Sequence, residues 1–422
     1  MSLRDPMRPV IHWVSPLPPA PTDIAHYTMR ILTALVGHAR VVLWTDAEHW
    51  DASIETYAPV HRFDADQLLP SDLQRAARLI GAPEGTQQMM FIHIGNSWVF
   101  HAKMLRLARR MSSVVVLHDQ AIQELITGAI QNHLFDRKNY VEEMAKWYGT
   151  EGHQAAERSL NETGYARILA PKMPGFELAL PAAVAVIAHT PAAVAEVRER
   201  DLVPVHHLEL PFQPGPPPPA RRPRLGPLRL MQFGYIGPNR RLSEVLIALA
   251  GLKDEIDFRF DVMGNLWDPM RIRQEIATLG LEKLVHLHGF VPEPALDMAL
   301  RQAHLVLNLR FPTLGEASGS QLRIWNAGAA SVVRKAGWYA NLPQDTVFHI
   351  PDDNDAEAAA LQGLIRRITA NRDLIENMRD AGYARLLSHH HPEDYARHIV
   401  DIVKRIGPAA AQHLYAPNLL SE

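Results

Sequence analysis

Residues 311–328 read FPTLGEASGSQLRIWNAG, with one carboxylate, Glu316, among small residues where an apolar run gives way to a helical pattern. A helix start exposes unpaired amides and the positive end of the dipole. Ser318, Gly319 and Ser320 can therefore receive a phosphate or a sugar hydroxyl, the glycine allowing close approach. Glu316 beside them suits accepting hydrogen bonds from hydroxyls. The plainer alternative is that Ser318 is an ordinary cap and Glu316 only favours the dipole. A second segment, FGYIGPNRRLSEVLIAL (233–249), again runs from an apolar stretch through a glycine loop at Gly234 into a helix, with Arg240 and Arg241 at its start. Cations beside helix amides suit a diphosphate leaving group, whose charge must be neutralised as its bond breaks; solvated surface charges are the alternative. No G-x-x-x-x-G-K-[ST] occurs, so this is not a P-loop. DVMGNLW (261–267), with Gly264 and Asn265, is a third turn of the same kind.

Such loops need strands and helices to hold them. PVIHWV (9–14), RVVLW (40–44), MMFIHI (89–94), SVVVLH (113–118) and AVAVIAH (183–189) form one set of candidate strands. LRLMQF (228–233), DFRFDVM (257–263), LVHLHG (284–289), HLVLNL (304–309) and ASVV (330–333) form a second. Helix-period segments lie between them: Ile24, Tyr27, Ile31, Leu32 and Leu35 make one apolar stripe, and Leu322, Trp325 and Ala329 another. That alternation marks parallel sheets with crossover helices. PFQPGPPPPARRPRLGP (211–227) is too rich in proline for helix or central strand. It sets the expected boundary between a domain at 1–210 and one at 228–390, which would leave a cleft for ligands beyond the strand ends. HPEDYARHIVDIVKRIG predicts a last helix with Pro392 in its first turn, Tyr395, Ile399 and Ile402 inward, and Gly407 as its stop. Residues 391–422 are expected to be this helix and a tail, packing back on the first domain.

Composition narrows the function classes. A net charge of −3 over 422 residues lacks the general pull toward polyphosphate of a nucleic-acid binder. The absence of cysteine excludes disulfides and thiolate metal sites. Pro6, Pro9, Pro16, Pro18 and Pro19 break up any signal-peptide core, and no apolar run approaches a membrane span, so a cytoplasmic protein is expected. The cations Lys103, Arg106 and Arg110 in AKMLRLARRM leave peripheral contact with anionic lipid as a further expectation, against ordinary half-buried packing. His286 and His288 are expected to be a structural strand pair, and DAD (64–66) a loop. HHH (389–391) is expected to be an exposed turn and not a metal site.

Taken in order, SPLPPAPTDIAHYTMRIL, HIGNSWVFHAKML, VVVLHDQAI, AVIAHT, FGYIGPNRRL, VHLHGFVPEPAL, LVLNLRFPTLGEASGSQL and GWYANLP resemble the retaining GT-B glycosyltransferases of family 4, from about residue 10 to residue 350. The resemblance implies an α/β GT-B fold: two Rossmann-like, doubly wound parallel-sheet domains facing across a cleft. It also implies transfer of a sugar from a nucleotide-diphosphate donor to a glycan, lipid-linked or small-molecule acceptor. No metal or other cofactor is implied, the nucleotide sugar being a co-substrate. Carried over by position, Thr22, Asp23 and His101 fall on the acceptor side, and His118, Asp119 and Glu316 are the catalytic candidates. Gly234, Arg240 or Arg241, Gly264, Asn265, Arg310, Ser318, Gly319 and Ser320 fall on the donor side. Asp23 stands where the family has glycine and His26 where it has aspartate. Eight positions after Glu316, where the family has a second glutamate, stands Ile324, with Arg323 as its helix-phase equivalent. The alternatives are a nucleotide-sugar isomerase or epimerase of similar architecture and a catalytically silent binding subunit.

Overall fold

The structure, a computed structural model, describes residues 8–218 and 226–413; residues 219–225 of the proline-rich segment and the tail beyond 413 lie outside it. The chain forms two compact units. The first comprises residues 1–213, 314–317 and 391–422, and the second 214–313 and 318–390.

The first unit is built on seven parallel strands: β1 (Val10–Val14), β2 (Arg40–Thr45), β3 (Val60–Arg62), β4 (Gln88–Ile94), β5 (Ser113–Leu117), β6 (Ala183–Ala188) and β7 (Val205–His207). Their order is β3-β2-β1-β4-β5-β6-β7. β1 and β5 are buried along their whole length, as continuous apolar runs covered on both faces should be. The helix Asp23–His38 begins at Thr22, whose hydroxyl accepts the Ile24 amide, and buries Tyr27, Ile31, Leu32 and Leu35. Against it packs the helix Pro392–His413, through a hydrogen bond between the Tyr27 and Tyr395 hydroxyls and an outer His38–Glu393 pair at 2.6 Å. That helix does not stop at Gly407 but runs six residues further. Three of those residues are alanine, the strongest helix former, which offsets part of the cost of Gly407 and of Pro408 after it.

The second unit has six parallel strands: β8 (Leu228–Phe233), β9 (Phe258–Met263), β10 (Val285–Gly289), β11 (Leu305–Leu307), β12 (Ala330–Arg334) and β13 (Phe348–Ile350). They lie in the order β10-β9-β8-β11-β12-β13. Val245, Leu246 and Leu249 of the helix Leu242–Ala250 and Leu361, Ile365 and Ile368 of the helix Glu357–Ala370 close one core with the strands. On another part of this unit the helix Gly319–Asn326 inserts Trp325, whose indole N–H donates to the Thr346 carbonyl at 3.0 Å.

Each sheet reverses its winding at one strand. β1 lies between β2 and β4, and β8 between β9 and β11. Chain connections leave these central strands in opposite directions, so the loops after their carboxyl ends splay apart and bare a crevice. Thr22 follows β1 and Gly95 follows β4; Gly234 follows β8 and Asn308 follows β11.

Candidate functional site

In the second unit the crevice is built on glycine. Gly234 and Gly264 end neighbouring strands with φ of 96° and 145°. A Cβ on Gly264 would stand 1.8 Å from the Gly234 carbonyl oxygen, so no other residue fits there. A 3₁₀ turn, Pro238–Arg240, then brings the chain to Arg241, which is left-handed at φ 60° and precedes the helix Leu242–Ala250.

The two arginines separate at this turn. Arg240 is 7% exposed; its Nη1 donates to Asn308 Oδ1 at 3.1 Å and its Nη2 to Ser320 Oγ at 3.4 Å. Behind it, Asn308 Nδ2 donates to Gln321 Oε1 at 3.0 Å, and Gln321 Nε2 to Ser331 Oγ at 2.8 Å. Gln232 Nε2 holds the Arg240 carbonyl at 2.7 Å. The guanidinium is thus fixed where Gly234, the end of β11 and the first turn of Gly319–Asn326 converge; a Cβ on Gly234 would lie 3.2 Å from its Nη2. Arg241 instead pairs with Glu244 at 2.9 Å and the buried Glu357 at 3.1 Å. Glu357 also takes Arg334, which reaches Asp352 at 2.6 Å and lies over the Phe311 ring.

Of the other donor-side candidates, Ser318 caps its helix by accepting the Gln321 amide at 3.1 Å, and Gly319 and Ser320 are half-buried. Asn265 is exposed and its carbonyl accepts the Ile236 amide at 2.9 Å; Arg310 is half-buried after β11. Ile324 is fully buried, and Arg323 pairs with Asp297 at 2.7 Å and with Glu293. The local reading of Ser318 as a cap is therefore fulfilled, and its amide-rich turn also faces a buried cation.

In the first unit Gly95 is the centre of the acceptor-side candidates. A Cβ there would meet Ile24 Cδ1 at 2.6 Å, His101 Nε2 at 3.0 Å and Asp119 Oδ2 at 3.2 Å. Asp119 Oδ2 accepts the Asn96 amide at 2.7 Å, and Asn96 Oδ1 accepts the amides of Glu124 and Leu125 at 3.0 and 3.1 Å, capping the helix Gln123–Gln131 from a distant loop. His118, just beyond β5, lies 2.8 Å from His93 Nδ1 through its Nε2. His101 Nδ1 donates to the His93 carbonyl at 3.1 Å and His189 Nδ1 to the Leu208 carbonyl at 2.8 Å. Burial pushes the pKa of His101 and His189 down to about 4. Burial, then neighbouring imidazoles, holds His93 and His118 well below the ordinary value, so the cluster is neutral at neutral pH. Thr22 is half-buried and Asp23 exposed.

Residues 314–317 pack with this unit. The amides of Gln120 and Ala121 both donate to the Leu314 carbonyl, at 3.1 and 3.0 Å, and Thr190 Oγ1 donates to the Gly315 carbonyl at 3.1 Å. A Cβ on Gly315 would stand 2.5 Å from Gln120 Oε1. Glu316 is 7% exposed, with one carboxylate oxygen accepting the Leu314 amide at 2.6 Å.

No family model and no curated protein matches the chain. Solved structures do. HepE (Alr3699) of Anabaena, in complex with UDP and glucose, is similar at a TM-score of 0.56 and 15% identity, over 94% of this chain and all of its own. Sucrose-phosphate synthase of Thermosynechococcus elongatus is similar at 0.61 and 14%, over 95% of this chain and all of its own. WaaG, a glycosyltransferase involved in lipopolysaccharide biosynthesis, is similar at 0.53 and 15%, over 93% of this chain and 99% of its own. The chain has the GT-B fold.

Within this GT-B chain several sequence features serve packing. Lys103 pairs with Asp46 at 3.7 Å, Arg106 with Asp66, and Arg110 donates to the carbonyls of Ala65 and Leu68. The cations proposed to touch lipid are thus engaged by their own unit, and the DAD segment is a turn. His288 pairs with Asp261 at 2.6 Å. In the HHH segment His389 is exposed and His391 half-buried, but His390 corrects the expectation: it is buried at 1% exposure, its ring packed 5.9 Å from that of Trp325. Among the described residues no group of three or more His, Asp or Glu could hold a metal ion, and no helix is long and apolar enough to cross a membrane.

The residues that sequence reasoning missed are Gln232, Asn308 and Gln321, which hold Arg240, and His93 and Asn96, which hold the acceptor-side cluster. Their signal was present: each is a polar residue at the end of, or just beyond, an apolar strand, or on the inward stripe of a helix. Burial of such groups demands a partner.

Proposed function

We propose that the protein is a retaining glycosyltransferase that moves a sugar from a nucleoside-diphosphate donor to a glycan, lipid-linked or small-molecule acceptor. The observation that carries this reading is Arg240, held at the winding reversal of the second sheet with its guanidinium on Ser320 in the first turn of a helix. A fixed cation beside helix amides stabilises the charge that develops on a departing diphosphate, and it does so without reorganising. The GT-B neighbour HepE, in complex with UDP and with UDP-glucose, supports a nucleotide sugar as co-substrate. In this reading Arg240 and the amides of Ser318 to Ser320 carry the diphosphate charge in place of a divalent metal.

Glu316 stands two residues before Ser318, so the backbone alone keeps the two α-carbons within about 7 Å. Its carboxylate serves hydroxyls of the transferred sugar. The acceptor hydroxyl oxygen attacks the anomeric carbon on the face from which the diphosphate leaves. The carbon–oxygen bond to phosphate breaks, and the hydroxyl proton passes to the leaving phosphate oxygen. Retention then needs no protein nucleophile, and His118 and Asp119 serve as acceptor contacts.

The test is a panel of nucleotide sugars, beginning with UDP-glucose, assayed for release of the nucleoside diphosphate by the wild type and by Glu316→Gln. Release should fall about ten- to a thousandfold in the variant, with affinity for UDP unchanged, because UDP lacks the sugar. Tight nucleotide binding without turnover of any donor would describe a binding subunit instead. Equal loss of rate and UDP affinity would make Glu316 a structural carboxylate.

A further inference from the structure

We propose that His93 is a positioning residue that locks His118 in its Nδ1–H tautomer, so that His118 meets substrate as a hydrogen-bond donor to a lone-pair oxygen. The two rings share one hydrogen bond, His93 Nδ1 to His118 Nε2 at 2.8 Å, and one proton must lie in it. Two neutral arrangements are possible.

If His118 Nε2 carried the proton, His93 would have to carry its own on Nε2. That atom is buried, with no protein partner in hydrogen-bond reach among the described residues. Around it stand the Trp13 ring at 4.3 Å and the Tyr27 ring at 5.4 Å between centroids. The Tyr27 hydroxyl is already committed to Tyr395, and the Trp13 indole N–H to Thr28 Oγ1 at 3.1 Å. A stranded N–H in that setting costs more than a bare lone pair, and buried orphan donors are correspondingly rare. The proton therefore sits on His93 Nδ1, Nε2 of His118 accepts it, and His118 carries its own proton on Nδ1. His118 is half-buried and its Nδ1 has no partner among the described residues, whereas His93 is fully buried.

His93 is itself held. Its carbonyl accepts His101 Nδ1 at 3.1 Å, and the Trp13 ring of β1 lies against its own ring, tilted by 48°. Tyr27 meets the His118 ring edge-on at 4.7 Å, and His189 lies 5.2 Å away, so the ring of His118 has little room to flip. The consequence is directional: His118 cannot begin as the base that takes a hydroxyl proton through Nδ1, and it instead orients the oxygen that approaches. Calling that oxygen the acceptor's rests on the function proposed above; the tautomer does not.

The experiment is a long-range ¹⁵N–¹H spectrum of the full chain labelled at histidine nitrogen, with His118 assigned by the signals lost in His118→Gln. Wild-type His118 should show a protonated-type Nδ1 and an unprotonated-type Nε2. His93→Asn, which keeps a donor at the same place, should preserve the pattern. His93→Phe, which removes the donor, should move it to the opposite tautomer or to an average. A protonated Nε2 in the wild type overturns the proposal, as does an unchanged pattern in a folded His93→Phe. Should His93→Phe fail to fold, the wild-type and His93→Asn spectra still decide. The measurement needs neither donor nor acceptor, so its failure is distinct from failure of glycosyl transfer.

Discussion

Arg240 and Arg241 leave the same turn for different partners: the first reaches Asn308 and Ser320, and the second the carboxylates of Glu244 and Glu357. The division assigns them different work. Glu357 is buried and shared between Arg241 and Arg334, so Arg241 belongs to the framework that fixes the start of the helix Leu242–Ala250. Its left-handed backbone is a strain that these ion pairs hold in place.

Arg241→Ala is accordingly expected to lower stability by about 2–4 kcal/mol, because it leaves part of a buried carboxylate uncompensated. Affinity of the remaining folded protein for UDP should change little. Urea unfolding with and without saturating UDP separates the two quantities. A variant of wild-type stability with lost UDP binding would reverse the assignment of the two arginines.

Acid should destabilise the first unit before carboxylates titrate. The folded-state pKa of His12, His101 and His189 is depressed by burial to about 4 from the ordinary 6.5. Between those values the unfolded chain binds protons that the folded chain refuses. Stability is therefore complete above pH 6.5 and falls as pH drops toward 4, each histidine contributing up to about 1.4 kcal/mol per pH unit. The urea midpoint of the first unit, followed at several pH values across this window, should decline steadily. A flat profile would mean that these rings are already protonated in the folded state.

Much of the fold was legible because the strands that matter are long apolar runs. All ten expected strands are present, shifted by no more than two residues at an end. Three strands were not visible: β3, β7 and β13 are three-residue edge segments, VHR, VHH and FHI, whose pairing is set by the neighbouring strand and not by their own pattern. The donor-side turns were found by loop type, a glycine or a small residue between strand and helix, whereas Thr22, Asp23, His101, His118 and Asp119 came only from the family resemblance. What holds them was not found, because those contacts join distant positions. Arg241 and Glu357 are 116 residues apart, Arg240 and Ser320 are 80 apart, and His93 and His118 are 25 apart. No local pattern could say which of two adjacent arginines faces a helix start. His390 shows the same limit, since its neighbours suggest a solvated turn and only packing against Trp325 buries it.

The most direct measurement is the affinity of wild type and Arg240→Ala for UDP and for uridine, by titration calorimetry. If Arg240 compensates the diphosphate charge, the variant should lose about 1.5–3 kcal/mol of UDP binding and almost none of uridine binding. Equal loss for both ligands, or no loss for either, would contradict a diphosphate site at Arg240.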